Sequence, residues 1–274
     1  MQVTSRKTRC ICKSERWQPF FMAAETQRLK DHAGRTYWGS RVQPFRRFRM
    51  ETPPYGRAFK LWRENAGDLW ERYVNHEFVE QLRSGRLPKA HYLHYLGQDY
   101  VFLIHYARAW GLAAAKAGTL NEMKLAAATL HALAHVEMPL HVNSCAAEGL
   151  SPADLENEME APENAAYTRY VLATGYSGDF LDLMAALAPC VLGYGEIGLR
   201  LANSDSPYSA WIETYSGPAY QSACREVGSL IDGALDYRLG RSWGNIPRFG
   251  QLGQHFATAT ALEISFWDMA LRGR

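Results

Sequence analysis

From Arg57 to the C-terminus the apolar residues recur at three- and four-residue steps, and nothing reads as a strand. A strand needs alternate residues on one face, whereas a helix needs residues about 3.6 apart, so this pattern restricts the fold to packed helices. Phe59, Trp62, Ala66, Leu69, Trp70, Tyr73 and Val74 trace the first stripe, which Ser84-Gly85 closes. A second helix is expected from Leu87-Pro88 to Ala117-Gly118. A third starts at Thr119 as N-cap, carries Leu125, Leu130, Leu133 and Val136, and ends near Gly149. Ser151-Pro152 opens a short acidic connection. Further helices are predicted over 163–175, 178–203, 207–239 with an interruption at Ser216-Gly217-Pro218, and 249–272. The expectation is an all-α bundle of six to eight amphipathic helices, with residues 50–274 forming a single domain.

Charge sets residues 1–49 apart. They carry 12 of the chain's 30 Lys/Arg and 3 of its 28 Asp/Glu, so the remainder is acidic, 18 against 25. Such a leader suits nucleic acid or a targeting segment, but it lacks helical periodicity, and Cys10-Ile11-Cys12 has no second ligand pair for zinc. It is expected to be a poorly ordered extension dispensable for folding, with no nucleic-acid partner. No stretch approaches the roughly 18 consecutive apolar residues of a membrane helix, so no membrane association is expected. The 5 cysteines are scattered and odd in number, which argues against a disulfide framework and fits a reducing cytoplasm.

Four groups of side chains carry chemical interest. Cys190, in Leu187-Ala188-Pro189-Cys190, stands on a long apolar helix, where a thiol is either plain packing or a nucleophile. Asp99, Phe102 and Tyr106 share a helix face with Tyr95, and an acid among aromatics suits the amidine-like edge of a nitrogen heterocycle; pairing with a cation such as Arg108 is the plain alternative. Glu263, Phe266 and Trp267 repeat the theme, and a carboxyl held among rings keeps its proton near neutral pH. Tyr167, Tyr170, Tyr194 and Tyr215 supply hydroxyls that relay a proton or merely pack a ring. His131, His135, Glu137 and His141 look like a metal site, but Glu137 falls off the face that His131 and His135 share, so no metal is assigned.

The segments Asn75-His76-Glu77-Phe78-Val79, Gln98-Asp99-Tyr100, Ala107-Arg108, Glu137-Met138 with His141, Ala166-Tyr167-Thr168, Leu187-Ala188-Pro189-Cys190, Trp211-Ile212 with Tyr215, and Phe266-Trp267-Asp268-Met269-Ala270 occur in order and resemble the TenA family, thiaminase II. The resemblance covers roughly residues 57–272. It implies a haem-oxygenase-like bundle without haem, usually a cytoplasmic homotetramer, and an aminopyrimidine aminohydrolase of thiamin salvage. The implied substrate is 4-amino-5-aminomethyl-2-methylpyrimidine, and thiamin itself in many members. Carried onto this chain, it makes Cys190 the nucleophile, Glu263 the acid/base, and Asp99 the holder of the aminopyrimidine edge. Tyr167 and Tyr215 would lie near the thiol and leaving group, with Phe102 and Phe266 against the ring.

The implied route starts with a Cys190 thiolate adding to the ring while Glu263 protonates ring nitrogen, and it requires no metal or organic cofactor. Phe102 replaces a tyrosine found in some members, and Glu77 stands in a turn where proline is common. A branch of the family lacks the cysteine, so Cys190 assigns this chain to the other. The competing expectations are a non-catalytic pyrimidine-binding regulator and a metal-dependent oxidase on the same bundle.

Overall fold

A computed structural model describes residues 53–273. The basic segment 1–49 lies outside the described residues. Among the described residues there are twelve α-helices and no strand: α1 (Arg57–Ala66), α2 (Asp68–Val74), α3 (Glu77–Ser84), α4 (Lys89–Lys116), α5 (Leu120–Ala132), α6 (Met138–Ala147), α7 (Pro152–Glu156), α8 (Pro162–Ser177), α9 (Phe180–Leu201), α10 (Ser209–Ser216), α11 (Pro218–Leu239) and α12 (Pro247–Arg272). The all-α expectation holds, but the helices are shorter and more numerous than periodicity indicates.

Each extra break has a local cause. The first stripe divides at Gly67, whose φ of 51° suits glycine, and again at Asn75-His76. Glu77 is not in a turn: it is the first residue of α3, where a negative charge favours the positive end of the helix dipole and where proline is equally acceptable. The predicted third helix is interrupted at Leu133–Glu137, which winds as a π turn closed by Met138 N–H to the Leu133 carbonyl. Pro139 has no N–H for the carbonyl of His135, so the α ladder is already broken there. Periodicity alone does not register this wider turn.

The central rod is α9. Asp179 caps it, accepting from the amides of Leu181 and Asp182 at 2.8 and 3.2 Å, while Asp182 accepts from Asp179 N–H at 2.8 Å. It is long and apolar enough to cross a membrane, but that stretch is wholly buried among its neighbours, which marks it as a core helix. Around it pack α8, α10, α11 and α12. Glu196 on α9 is fully buried and accepts from Arg63 Nε and Nη2, both at 2.9 Å, from Trp70 Nε1 at 3.0 Å and from Arg200 Nη2 at 2.6 Å, tying α1 and α2 to the rod. Removing one partner of such a buried pair typically costs about 3–5 kcal/mol.

Candidate active site

From Phe180 to Gly198 every residue of α9 is buried except one, Cys190. Its side chain opens onto a cavity enclosed by α4, α5, the π turn, α9, α10 and α11, with about 860 Å³ of empty space including the mouth. Asp99 and Phe102 face it from α4, Glu137 from the π turn, and Tyr215 from α10. Trp110, Leu125, Leu133, Val227 and Leu230 supply apolar wall to the same cavity. The thiol is therefore not packed in hydrocarbon; an apolar, mostly enclosed hollow with few polar groups is the form a small-molecule site takes.

The backbone around Cys190 is held from several sides. Pro189 withholds an N–H from the helix ladder, Tyr73 donates to the Pro189 carbonyl at 3.3 Å, and Tyr220 and Cys224 donate to the Val191 carbonyl at 3.2 and 3.3 Å. Tyr215 reaches the cavity because α9 and α10 touch at Gly198, where a Cβ would lie 2.4 Å from the Tyr215 carbonyl carbon. Only glycine permits that approach.

Burial dominates the electrostatics. It pushes Asp99 up to about 7, Glu137 up to about 7, and Glu263 up to about 8, the last despite a hydrogen bond donated by Tyr167. The Cys190 thiol is pushed well above its usual range, first by burial and then by the charges of Glu263, Asp99 and Glu137, against a lowering influence of the Tyr106 hydroxyl. The thiolate expected from sequence is therefore not the resting species. Three acidic groups surround the sulfur, and the described residues bring no cation to it, so it rests as a thiol.

The predicted site residues form two layers. Asp99, Phe102, Cys190 and Tyr215 line the cavity. Glu263, Tyr167 and Phe266 sit in the layer behind: Tyr167 donates to Glu263 Oε1 at 2.9 Å, its ring lies 5.1 Å from that of Phe102, and the Phe266 ring lies 5.8 Å from Phe102. Glu263 is 2% exposed. Its charge nevertheless acts on Cys190 and Tyr73. Trp267 has turned away to stack on Phe78 in the core, with centroids 4.7 Å apart.

Sequence reasoning misses three functional candidates. Glu137 is read from sequence as a metal-ligand candidate with His131 and His135 and as part of the resemblance, with no catalytic role; the π turn aims it at the cavity, while those two histidines lie against each other, tilted, at an exposed face. Among the described residues no cluster of metal-ligating side chains forms. Tyr106 is visible on the Asp99 face, and its buried hydroxyl, beside Cys190, has no hydrogen bond of normal geometry. Tyr73 leaves no sequence signal beyond its place in an apolar stripe, yet it bridges the Glu263 environment to the Pro189 carbonyl.

Among the described residues the chain is an all-helical bundle that closes a hollow of acidic and aromatic side chains around one thiol. Residues 63–273 match the model of the TENA/THI-4/PQQC family, and the chain belongs to that family. A TenA family transcription regulator from Silicibacter sp. TM1040 superposes with a TM-score of 0.79 at 53% identity, covering 81% of this chain and 99% of that one. The aminopyrimidine aminohydrolase of Halalkalibacterium halodurans is 33% identical over 216 residues, 77% of this chain and 94% of its own. A haem-oxygenase-like domain from Shewanella denitrificans, 12% identical with a TM-score of 0.61, covers 78% of this chain and 92% of its own and shares the fold.

Proposed function

We propose that this chain is an aminopyrimidine aminohydrolase of thiamin salvage that converts 4-amino-5-aminomethyl-2-methylpyrimidine to its hydroxymethyl form and releases ammonia. The observation that carries the reading is Cys190, the one residue of the buried rod that opens into the hollow, directly among Asp99, Phe102 and Tyr215. The similarity to named aminopyrimidine aminohydrolases supports it.

Asp99 takes the amidine-like edge of the base, and Phe102 borders its face with Phe266 behind. Cys190 adds to an electron-poor ring carbon. Because the sulfur rests as a thiol and Glu263 rests protonated near neutral pH, the proton exchange is coupled to addition: Glu263, admitted from the layer behind by a shift of the Phe102 and Tyr167 rings, gives its proton to the ring nitrogen away from the amidine edge and takes the one the thiol gives up. The S–H bond breaks as the S–C and N–H bonds form. The enamine-like ring then expels the amine from the 5-methylene carbon, the C–N bond breaking as Glu263 gives the nitrogen the proton with which it leaves as ammonia, with Tyr167 and Tyr215 near the leaving group. Water adds at that carbon and returns a proton to Glu263; the C–S bond then breaks, the ring N–H proton returns to the sulfur, and the aromatic ring is restored. No metal or organic cofactor has a step in this scheme. Thiamin stays as a second substrate by family resemblance. By family resemblance the enzyme works as a cytoplasmic homotetramer.

A non-catalytic regulator is the second reading, favoured by the name of the Silicibacter relative. Ammonia release from the aminomethyl pyrimidine and from thiamin, measured beside Cys190→Ser, separates the two. The enzyme reading expects turnover by the natural chain and none by the variant, with pyrimidine binding retained in both. Binding without ammonia release by the natural chain would establish the regulator, and near-native release by the variant would overturn the covalent route.

A further inference from the structure

His141, which the sequence offers as a metal-ligand candidate and within the resemblance, with no role at the base, lies on α6 against Asp99. Its Nε2 is 3.0 Å from the Leu96 carbonyl oxygen, and its Nδ1 is 3.6 Å from Asp99 Oδ2. A carbonyl can only accept, so Nε2 carries a hydrogen and the neutral ring turns a lone pair toward Asp99. Both side chains are nearly sealed, 10% and 6% exposed. Among the described residues no lysine or arginine pairs with Asp99.

Other groups facing the pair cannot play the same part. Tyr92 and Tyr95 lie on the same helix, Tyr95 lending its hydroxyl to Asp99; Cys145 lies on α6, Glu137 on the π turn, Cys190 and Tyr194 on α9, Tyr215 on α10 and Glu263 on α12. Each is an acid, a thiol or a phenol, and His141 is the one base among them. A lone pair facing a carboxyl stabilises its protonated form, and burial of both groups acts in the same direction, raising Asp99 and lowering His141.

We propose that His141 is the positioning residue that keeps one proton on Asp99 in the free protein, so that Asp99 can pass it to the ring nitrogen of the amidine edge as an aminopyrimidine docks, the other ring nitrogen being the one that Glu263 protonates. The inference rests on the pyrimidine reading of the site. Before binding, the Asp99 O–H points at His141 Nδ1. On docking, that O–H bond breaks and a ring N–H bond forms, leaving a carboxylate that accepts from both the ring N–H and the exocyclic amine. His141 stays neutral throughout. The protonated ring is also a better target for the thiol, so one proton serves recognition and activation together.

The experiment measures the affinity of the unreactive hydroxymethyl pyrimidine from pH 4 to 8 for the natural protein, His141→Gln and His141→Leu, the lower limit chosen because burial lowers the His141 pKa. Below the His141 pKa the natural protein protonates Nδ1, loses the acceptor and places a cation beside the ring cation, so affinity falls by about tenfold per pH unit. Gln donates to Leu96 and still offers an oxygen to Asp99, so at pH 6.5, where Asp99 holds its proton, it binds within about threefold of the natural protein without that acid fall. Leu offers neither and binds about tenfold more weakly across the range. Titration of the ligand itself is common to all three proteins and cancels in the ratios. If Gln shows the same acid fall, or Leu binds as tightly as the natural chain, the proposal is overturned. Absence of binding by the natural protein at every pH would instead refute the pyrimidine reading. Should the variants fail to fold, ¹⁵N-histidine spectra of the natural protein at pH 7.5 decide: a bare Nδ1 with a protonated Nε2, its Nδ1 resonance moving on ligand saturation, supports the proposal, and the opposite tautomer or an unmoved resonance refutes it.

Discussion

Replacing Glu263 by Gln separates the carboxyl's charge from its shape. The side chain is sealed in the layer behind the cavity, accepts from Tyr167, and rests protonated up to about pH 8 from an ordinary 4.5. Gln copies that neutral form, its oxygen accepting from Tyr167 and its amide standing where the acid O–H stood. In the unfolded chain the group ionises near 4.5; in the folded protein it holds its proton to about 8. Between those values the folded state binds one more proton than the unfolded state, so stability falls as pH rises, by about 1.4 kcal/mol per pH unit. The displacement from 4.5 to about 8 makes the full effect about 5 kcal/mol, complete above pH 8 and absent below pH 4. The variant lacks this dependence. Urea midpoints at pH 4, 6, 7 and 9 are expected to show little difference between the two proteins at pH 4, and a growing advantage for Glu263→Gln that reaches several kcal/mol at pH 9. Ammonia release should fall by about 100-fold or more in the same variant, since Gln neither gives nor takes the proton. A stability difference that stayed flat with pH would show that Glu263 ionises freely in the folded protein, and would remove the coupled proton exchange.

Glu137→Gln removes a negative charge from the Cys190 surroundings only where Glu137 is ionised, above about pH 7. Alkylation of Cys190 by a small reagent at pH 8.5 should accelerate, by up to about tenfold for each pH unit by which the thiol pKa falls, and should match the natural protein at pH 6. Gly198→Ala forces a Cβ against the Tyr215 backbone, so α9 and α10 must part; a loss of about 1–3 kcal/mol in urea is expected, with weaker ammonia release because Tyr215 withdraws. Unchanged stability would mean that the two helices have room for a methyl group at this crossing. Asp99→Asn keeps the shape but has no acidic proton to pass to ring nitrogen, and binding of the hydroxymethyl pyrimidine should weaken by at least about tenfold while helix content by circular dichroism stays the same.

The sequence made the helical architecture legible because burial on one side of a helix imposes its own period, and that period runs unbroken through Phe59, Trp62, Trp70 and Tyr73 and again through α12. It also marked Cys190 and Asp99, since a thiol or an acid on an otherwise apolar face stands out whatever surrounds it. The positions of the breaks were less legible. Gly67 and Asn75-His76 sit inside a continuous stripe, and the π turn before Pro139 preserves the apolar count while rotating α6 relative to α5.

Sequence alone therefore determined the class of element and the face each element buries, and it marked some of the polar groups on those faces, Cys190 and Asp99 among them. The tertiary structure decided which of those groups share a hollow and in what protonation state. Only packing opened Cys190 alone from the buried rod, turned Glu137 toward it, set Glu263 one layer back and brought His141 against Asp99. The physical reason is that periodicity reports neighbours three and four residues apart. A pKa and a cavity depend on groups from separate helices, whose distances are fixed by close approaches such as that at Gly198.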